Sequence, residues 1–176
     1  MRSSVVPDLR PTPRIDFLDG IRALAAGYVV LHHVWLTSYP GYHTDPGPWF
    51  LRWLAFGYVA VAVFIVVSGF SLALSPARHD WRLTRGAGSF FQRRAWRILP
   101  TYYGALLLSC LVFGVVTPEQ TGSQITLRSV LVHALLVQDV VDSPDPNATF
   151  WSIAVECQIY LLFPLFVLVM RRAGAW

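Results

Sequence analysis

Residues 53–74 read Trp-Leu-Ala-Phe-Gly-Tyr-Val-Ala-Val-Ala-Val-Phe-Ile-Val-Val-Ser-Gly-Phe-Ser-Leu-Ala-Leu, 22 positions without one charged side chain. A bilayer core about 30 Å thick is crossed by about 20 apolar residues in a helix. In hydrocarbon a helix satisfies its own backbone N–H and C=O groups, so this stretch reads as a transmembrane helix. The rest of the 176-residue chain agrees: 55% is hydrophobic and 14% charged, with a mean hydropathy of +0.48. Average soluble domains carry about 25% charged residues. That excludes an ordinary soluble domain, and the high hydrophobicity excludes intrinsic disorder. The expected fold is all-α: a polytopic transmembrane helix bundle filling 1–176 as one domain.

Working outward, further apolar runs occupy 21–39, 98–116 and 150–170. The first is interrupted by Arg22, His32 and His33, with Asp19 and Gly20 as capping candidates before it. The last contains Glu156 and ends at Arg171 and Arg172. A weaker run, 127–141, carries Arg128, His133, Gln138 and Asp139. It is short for a span, so it is read as a re-entrant or interfacial piece beside about four spans. Residues 1–17 are rich in Pro and Arg, with no apolar stretch for a cleavable signal peptide.

The formal net charge is +4, and all fourteen basic residues are Arg. No polar domain exists to carry a nucleic-acid surface, so nucleic acid is excluded as a partner. The arginines instead orient the chain. Arg2, Arg10, Arg14 and Arg22 lie at the start; Arg78, Arg82, Arg85, Arg93, Arg94 and Arg97 lie between the second and third runs. Both groups are expected on the cytoplasmic side of the cell (inner or plasma) membrane, with the N-terminus cytoplasmic. Trp49, Phe50, Trp53, Phe150 and Trp151 would form an outer aromatic belt. Cys110 and Cys157 form neither a CxxC motif nor a Cys/His cluster, so no disulfide framework and no metal site are expected.

Ionisable groups within apolar runs are costly and become functional candidates. Arg22 and His33 are eleven residues apart. At 100° per residue they fall within about 20° of one face, separated by about 16 Å along the axis. His32 points about 80° away from Arg22. Structural alternatives stand beside this reading: His33 bonding a neighbouring helix, and Arg22 snorkelling to the interface. In the segment Phe90-Phe91-Gln92-Arg93-Arg94-Ala95-Trp96-Arg97-Ile98-Leu99-Pro100 the three arginines cluster on a helix. Guanidinium forks suit phosphates, or else lipid headgroups. Ser152, Glu156 and Tyr160, spaced by four, make a polar stripe that serves acceptor binding or clamps two helices. Pro164 frees the Tyr160 carbonyl and is expected to bend this helix.

Taken together, these segments resemble the membrane-bound acyltransferase 3 family. The match runs through Leu18-Asp19-Gly20-Ile21-Arg22, His33 at the family's spacing, Ser68-Gly69-Phe70, Arg94-x-x-Arg97-Ile98-Leu99-Pro100, and Trp151-Ser152 to Pro164. Ala62 and Cys157 depart from the family pattern, which usually has polar and acidic residues there. Family members usually have about ten spans, so the resemblance implies that 1–176 is the N-terminal half of such a domain, truncated at the C-terminus, and that the missing half is needed.

The resemblance implies an acyl-CoA donor, expected to be acetyl-CoA, as co-substrate with no tightly bound cofactor. The acceptor would be a hydroxyl of a sugar or cell-envelope glycan. His33 is then the base or transient acyl carrier, and Arg22 steadies donor phosphate or the developing oxyanion. Arg94, Arg97 and Arg93 bind acyl-CoA; Glu156, with acceptor-orienting Ser152 and Tyr160, completes the site. Two alternatives stay open: a non-catalytic membrane module, such as a transporter or an ion or proton pathway subunit, and an inactive truncated remnant. In every reading the lipid bilayer is a partner.

Overall fold

The computed structural model describes residues 15–39, 47–117 and 125–174. Among these residues every regular element is helical. The chain divides into two compact units, Met1–Ser75 and Pro76–Trp176.

In the first unit, α1 spans Asp16–Ser38. Its first turn carries Asp16 and Asp19, where carboxylates favour the positive end of the helix dipole. The helix therefore starts ahead of the expected cap. Ile15 is the N-cap, without a side-chain hydrogen bond, and Asp19 contacts Arg22 one turn later. At the other end the hydroxyls of Thr37 and Ser38 fold back onto the Val34 carbonyl, at 2.8 and 2.9 Å. A 3₁₀ segment, Trp49–Phe56, leads straight into α2, Gly57–Ala77. It is held to α1 by two polar contacts. The Tyr28 hydroxyl donates to the Trp53 carbonyl, and His32 Nδ1 donates to the Leu54 carbonyl at 2.6 Å. A Cβ on Gly57 would overlap the His32 ring, so glycine is what permits this approach.

In the second unit, α3 spans Gly86–Leu111 and runs on through a π turn, Val112–Val116. The apolar run from 98 is only its second half. Gly86, at φ +72°, opens the helix, and 89–99 contains neither Gly nor Pro; hydropathy alone marks the apolar part, not the whole helix. The short α4, Leu127–Ala134, begins with a reciprocal cap: Thr126 and Ser129 exchange backbone-to-hydroxyl bonds of 3.0 and 3.1 Å. A 3₁₀ turn, Ala148–Phe150, opens α5, Trp151–Arg172, which continues through Pro164. α3 and α5 run antiparallel. Phe90 stacks on Phe163 at 5.4 Å near one end, and Tyr102 meets Phe150 at 5.3 Å near the other.

Tyr102, Leu106 and Phe150 form a buried hydrophobic cluster in the core of this unit. Phe150 is 8% exposed, which removes it from the expected aromatic belt: the turn before α5 drives its ring onto Tyr102 instead of outward. Trp49, Phe50, Trp53 and Trp151 remain exposed.

Among the described residues three helical stretches are long and apolar enough to cross a membrane: Trp49–Ala77, Gly86–Val116 and Ala148–Arg172. No more than 17% of their most apolar windows is buried, so their apolar sides face outward, as a lipid-embedded surface does. The protein is an integral membrane protein with a helical-bundle fold. α1, 23 residues long, has the length for a fourth crossing, about 34 Å, but Asp16, Asp19, Arg22, His32 and His33 set it apart in composition. α4 has eight residues, about 12 Å. It cannot span, in keeping with a short re-entrant or interfacial piece.

Candidate functional site

In the first unit, Arg22 and His33 lie on the continuous helix α1, so their eleven-residue spacing does place them on one face. Arg22 is ion-paired with Asp19, and its side chain is 21% exposed. His33 is half-buried, and its Nδ1 lies 2.7 Å from the Val29 carbonyl of its own helix. A carbonyl only accepts, so Nδ1 carries the proton and a neutral ring keeps its lone pair on Nε2. Among the described residues Nε2 has no hydrogen-bond partner. The adjacent His32 differs: its Nδ1 is engaged by Leu54 across the unit, and its ring fills the space over Gly57. The two rings meet edge-on at 5.2 Å. Below them, Ile21, Leu24, Ala25, Tyr28, Phe56 and Val63 help to line an apolar groove of about 520 Å³.

In the second unit, the arginine cluster does not act as one patch. Arg93 and Arg97 are exposed, and Arg93 donates to Ser89 Oγ at 2.5 Å. Arg94 is turned inward and half-buried. Its guanidinium lies 5.3 Å from the Tyr160 ring centroid and 5.9 Å from that of Phe90, within cation–π range. The Tyr160 hydroxyl donates to Glu156 Oε1, as spacing by four on one helix allows. Ser152 lies on the same helix, half-buried. Arg94, Tyr160 and Glu156 thus form one connected polar group, with Arg97 and Ser152 outside it.

A scaffold behind this group escaped the sequence reading. His133, assigned no role there, is fully buried. Its carbonyl accepts from Tyr102 Oη at 2.8 Å, and that of Ala134 accepts from Tyr103 Oη at 2.9 Å. Gln138 Nε2 donates to the Phe150 carbonyl at 3.0 Å, and Gln158 Nε2 donates to Asp139 at 2.9 Å. These bonds tie the 127–141 segment to α3, to α5 and to the turn before it. Gln138 and Asp139, polar residues that weaken this run as a span, thus help to dock it, beside the main-chain carbonyls of His133 and Ala134. Pairings 31 residues apart leave no periodic trace in a sequence.

A family described as an acyltransferase domain matches residues 15–176, taking in both units. The chain belongs to this acyltransferase 3 family. Among its similar relatives is the acyltransferase MdmB of Streptomyces mycarofaciens, 29% identical over 90% of this chain and 41% of that protein. Nodulation protein 10 of Rhizobium leguminosarum bv. viciae is 28% identical over 89% of this chain and 46% of its own length. The peptidoglycan O-acetyltransferase OatA of Listeria monocytogenes is 24% identical over 90% of this chain and 25% of the relative. The chain therefore spans between a quarter and a half of the length of these relatives. No solved structure matches it.

Proposed function

We propose that this chain carries the base and the donor-binding groups of an integral-membrane O-acyltransferase. It would move an acyl group, with acetyl as the expected one, from acyl-CoA to a hydroxyl of a sugar or cell-envelope glycan. The observation that carries the reading is the state of His33. Its Nδ1 proton is held by the Val29 carbonyl, which leaves the Nε2 lone pair as the proton acceptor, the role imidazole most often fills in general-base catalysis. In this reading Nε2 takes the proton of the acceptor hydroxyl as its oxygen attacks the thioester carbonyl. The C–S bond of the resulting tetrahedral species breaks, and the imidazolium returns the proton to the departing thiolate. The relatives' names, an acyltransferase and a peptidoglycan O-acetyltransferase among them, support the reaction class and the glycan acceptor.

Arg22 lies about 16 Å along the axis from His33, too far to reach an oxyanion beside that base. Of its two expected roles, donor phosphate is the one this distance supports. Arg93 and Arg97, exposed on α3, supply further anion-binding forks for the coenzyme. Ser152 and the Glu156–Tyr160 pair are the acceptor-orienting groups. The N-terminus is assigned to the cytoplasm of the inner or plasma membrane, where acyl-CoA is made. Transfer of radiolabelled acetyl from acetyl-CoA to glycan, by membranes holding the chain with and without a family C-terminal half, tests the reading. Label in glycan that depends on His33 supports it. Absence of coenzyme A binding and of transfer in both preparations overturns it in favour of a non-catalytic module or remnant.

A further inference from the structure

Between α3, the segment after α4, and α5 lies a pocket of about 300 Å³. Phe91, Arg94, Ile98 and Leu99 line it from α3, and Cys157 and Tyr160 from α5; Leu136 closes it from the connecting segment. Three features mark it as a built site. Its one charged group, Arg94, is held on two aromatic faces, and among the described residues no carboxylate lies within ion-pair distance of it. The Tyr160 hydroxyl is already engaged by Glu156, so apart from Arg94 and the Cys157 thiol the lining offers hydrocarbon and rings. Leu136 holds φ at +58°, a conformation that costs a branched L-residue and that glycine adopts freely. The strained residue is a wall residue, packed at once against the pocket and the Tyr102–Phe150 core.

From Phe91 to Leu99 the pocket extends about 12 Å along α3. Its volume lies at the low end of small-molecule sites, about 300–1,000 Å³. That is far short of a whole coenzyme and matches its thioester end. The exposed arginines on the same helix, Arg93 and Arg97, complement the phosphates that such an apolar tail trails behind it.

We propose that this pocket receives the acyl end of the coenzyme A thioester, with Arg94 at its polar mouth and Leu136 and Cys157 as the wall that limits acyl length. The proposal rests on the acyl-CoA reading above and deepens it: Arg94 is a donor-positioning residue at the thioester, and Leu136 a specificity-determining one.

The experiment is calorimetric titration of the purified full chain in nanodiscs with coenzyme A, acetyl-, butanoyl-, hexanoyl- and octanoyl-CoA. Each methylene accommodated should tighten binding about fourfold, until the wall is reached and affinity falls. Leu136→Gly removes the wall and its backbone strain together, and should move the optimum to longer chains. Cys157→Phe fills the pocket, and should erase the acyl increment while coenzyme A itself binds as before. A chain-length profile identical in the parent and Leu136→Gly overturns the pocket assignment, whether or not Cys157→Phe folds. A parent chain that binds neither coenzyme A nor any thioester overturns the donor reading itself, and the pocket with it. Coenzyme A binding that is insensitive to acyl length overturns the pocket alone.

Discussion

The two units hold their polar residues in opposite ways. On α1 the candidate reactive groups are tied locally, Arg22 to Asp19 three residues away and His33 to Val29 four residues away. In the second unit the ties are long-range: Tyr102 to His133, Gln138 to Phe150, and Gln158 to Asp139. The difference separates presentation from support. A single helix can display a base and a cation at a fixed spacing without help. A pocket walled by two long helices and a connecting segment needs cross-links that hold all three.

The contrast breaks most sharply at the adjacent histidines. With a family C-terminal half co-expressed, His33→Ala should lower acyl transfer by about 10²–10⁴, the range for loss of a general base, and leave the melting temperature unchanged. His32→Ala should keep the rate within a small factor but lower thermal stability by about 1–3 kcal/mol, because the buried Leu54 carbonyl loses its donor. Acetyl transfer and thermal unfolding measured on the same two preparations decide it. An inactive His32→Ala beside an active His33→Ala reverses the assignment.

A comparably large effect belongs to the second unit's core. Phe150→Ala should cost about 3–5 kcal/mol, because its ring fills the space against Tyr102 and beside His133. If Phe150 stood in an exposed aromatic belt, the loss in thermal unfolding would be small. A smaller loss is expected at Gly57→Ala. The new methyl overlaps the His32 ring, and overpacking of this kind costs about 1–3 kcal/mol. The loss should shrink in the Gly57→Ala/His32→Ala double variant, since the two groups share one space. Additive losses would place His32 elsewhere.

The finest comparison lies within α3. Tyr102→Phe removes the donor to the His133 carbonyl and should cost about 1–3 kcal/mol, as a buried acceptor is left unpaired. Tyr103→Phe removes a bond of similar length from a residue 43% exposed. The exposed side of α3 faces lipid, which offers the Ala134 carbonyl no replacement donor, so the cost should again be about 1–3 kcal/mol. A loss under about 1 kcal/mol for Tyr103→Phe alone in chemical denaturation would mean that water, not lipid, reaches the Ala134 carbonyl.

Some of this was legible before any coordinates. An uncharged run of 22 residues fixes a helix in a bilayer, because hydrocarbon leaves the backbone no other partner. The helical repeat then fixes which residues share a face, so Arg22 with His33, and Glu156 with Tyr160, follow from spacing alone. That adjacent His32 and His33 point to different surroundings also follows, since one residue turns a side chain by 100°. Helix starts were less legible: α3 begins at Gly86, where charged residues hide the helix from a reading by hydropathy.

Only the tertiary structure decided which polar residues face a partner and which face inward. Arg93, Arg94 and Arg97 are equivalent by composition, yet Arg94 alone meets Tyr160 and Phe90, because α5 packs against that side of α3. His133 carries no motif, yet it is fully buried where its carbonyl meets Tyr102, 31 residues away. Leu136 is an ordinary apolar residue in sequence; its left-handed backbone and its place in a pocket wall arise where the chain leaves α4 to meet two helices at once. Periodicity encodes contacts along a helix, one turn at a time. Contacts between helices depend on how the connecting segments bring them together, and no local repeat records that.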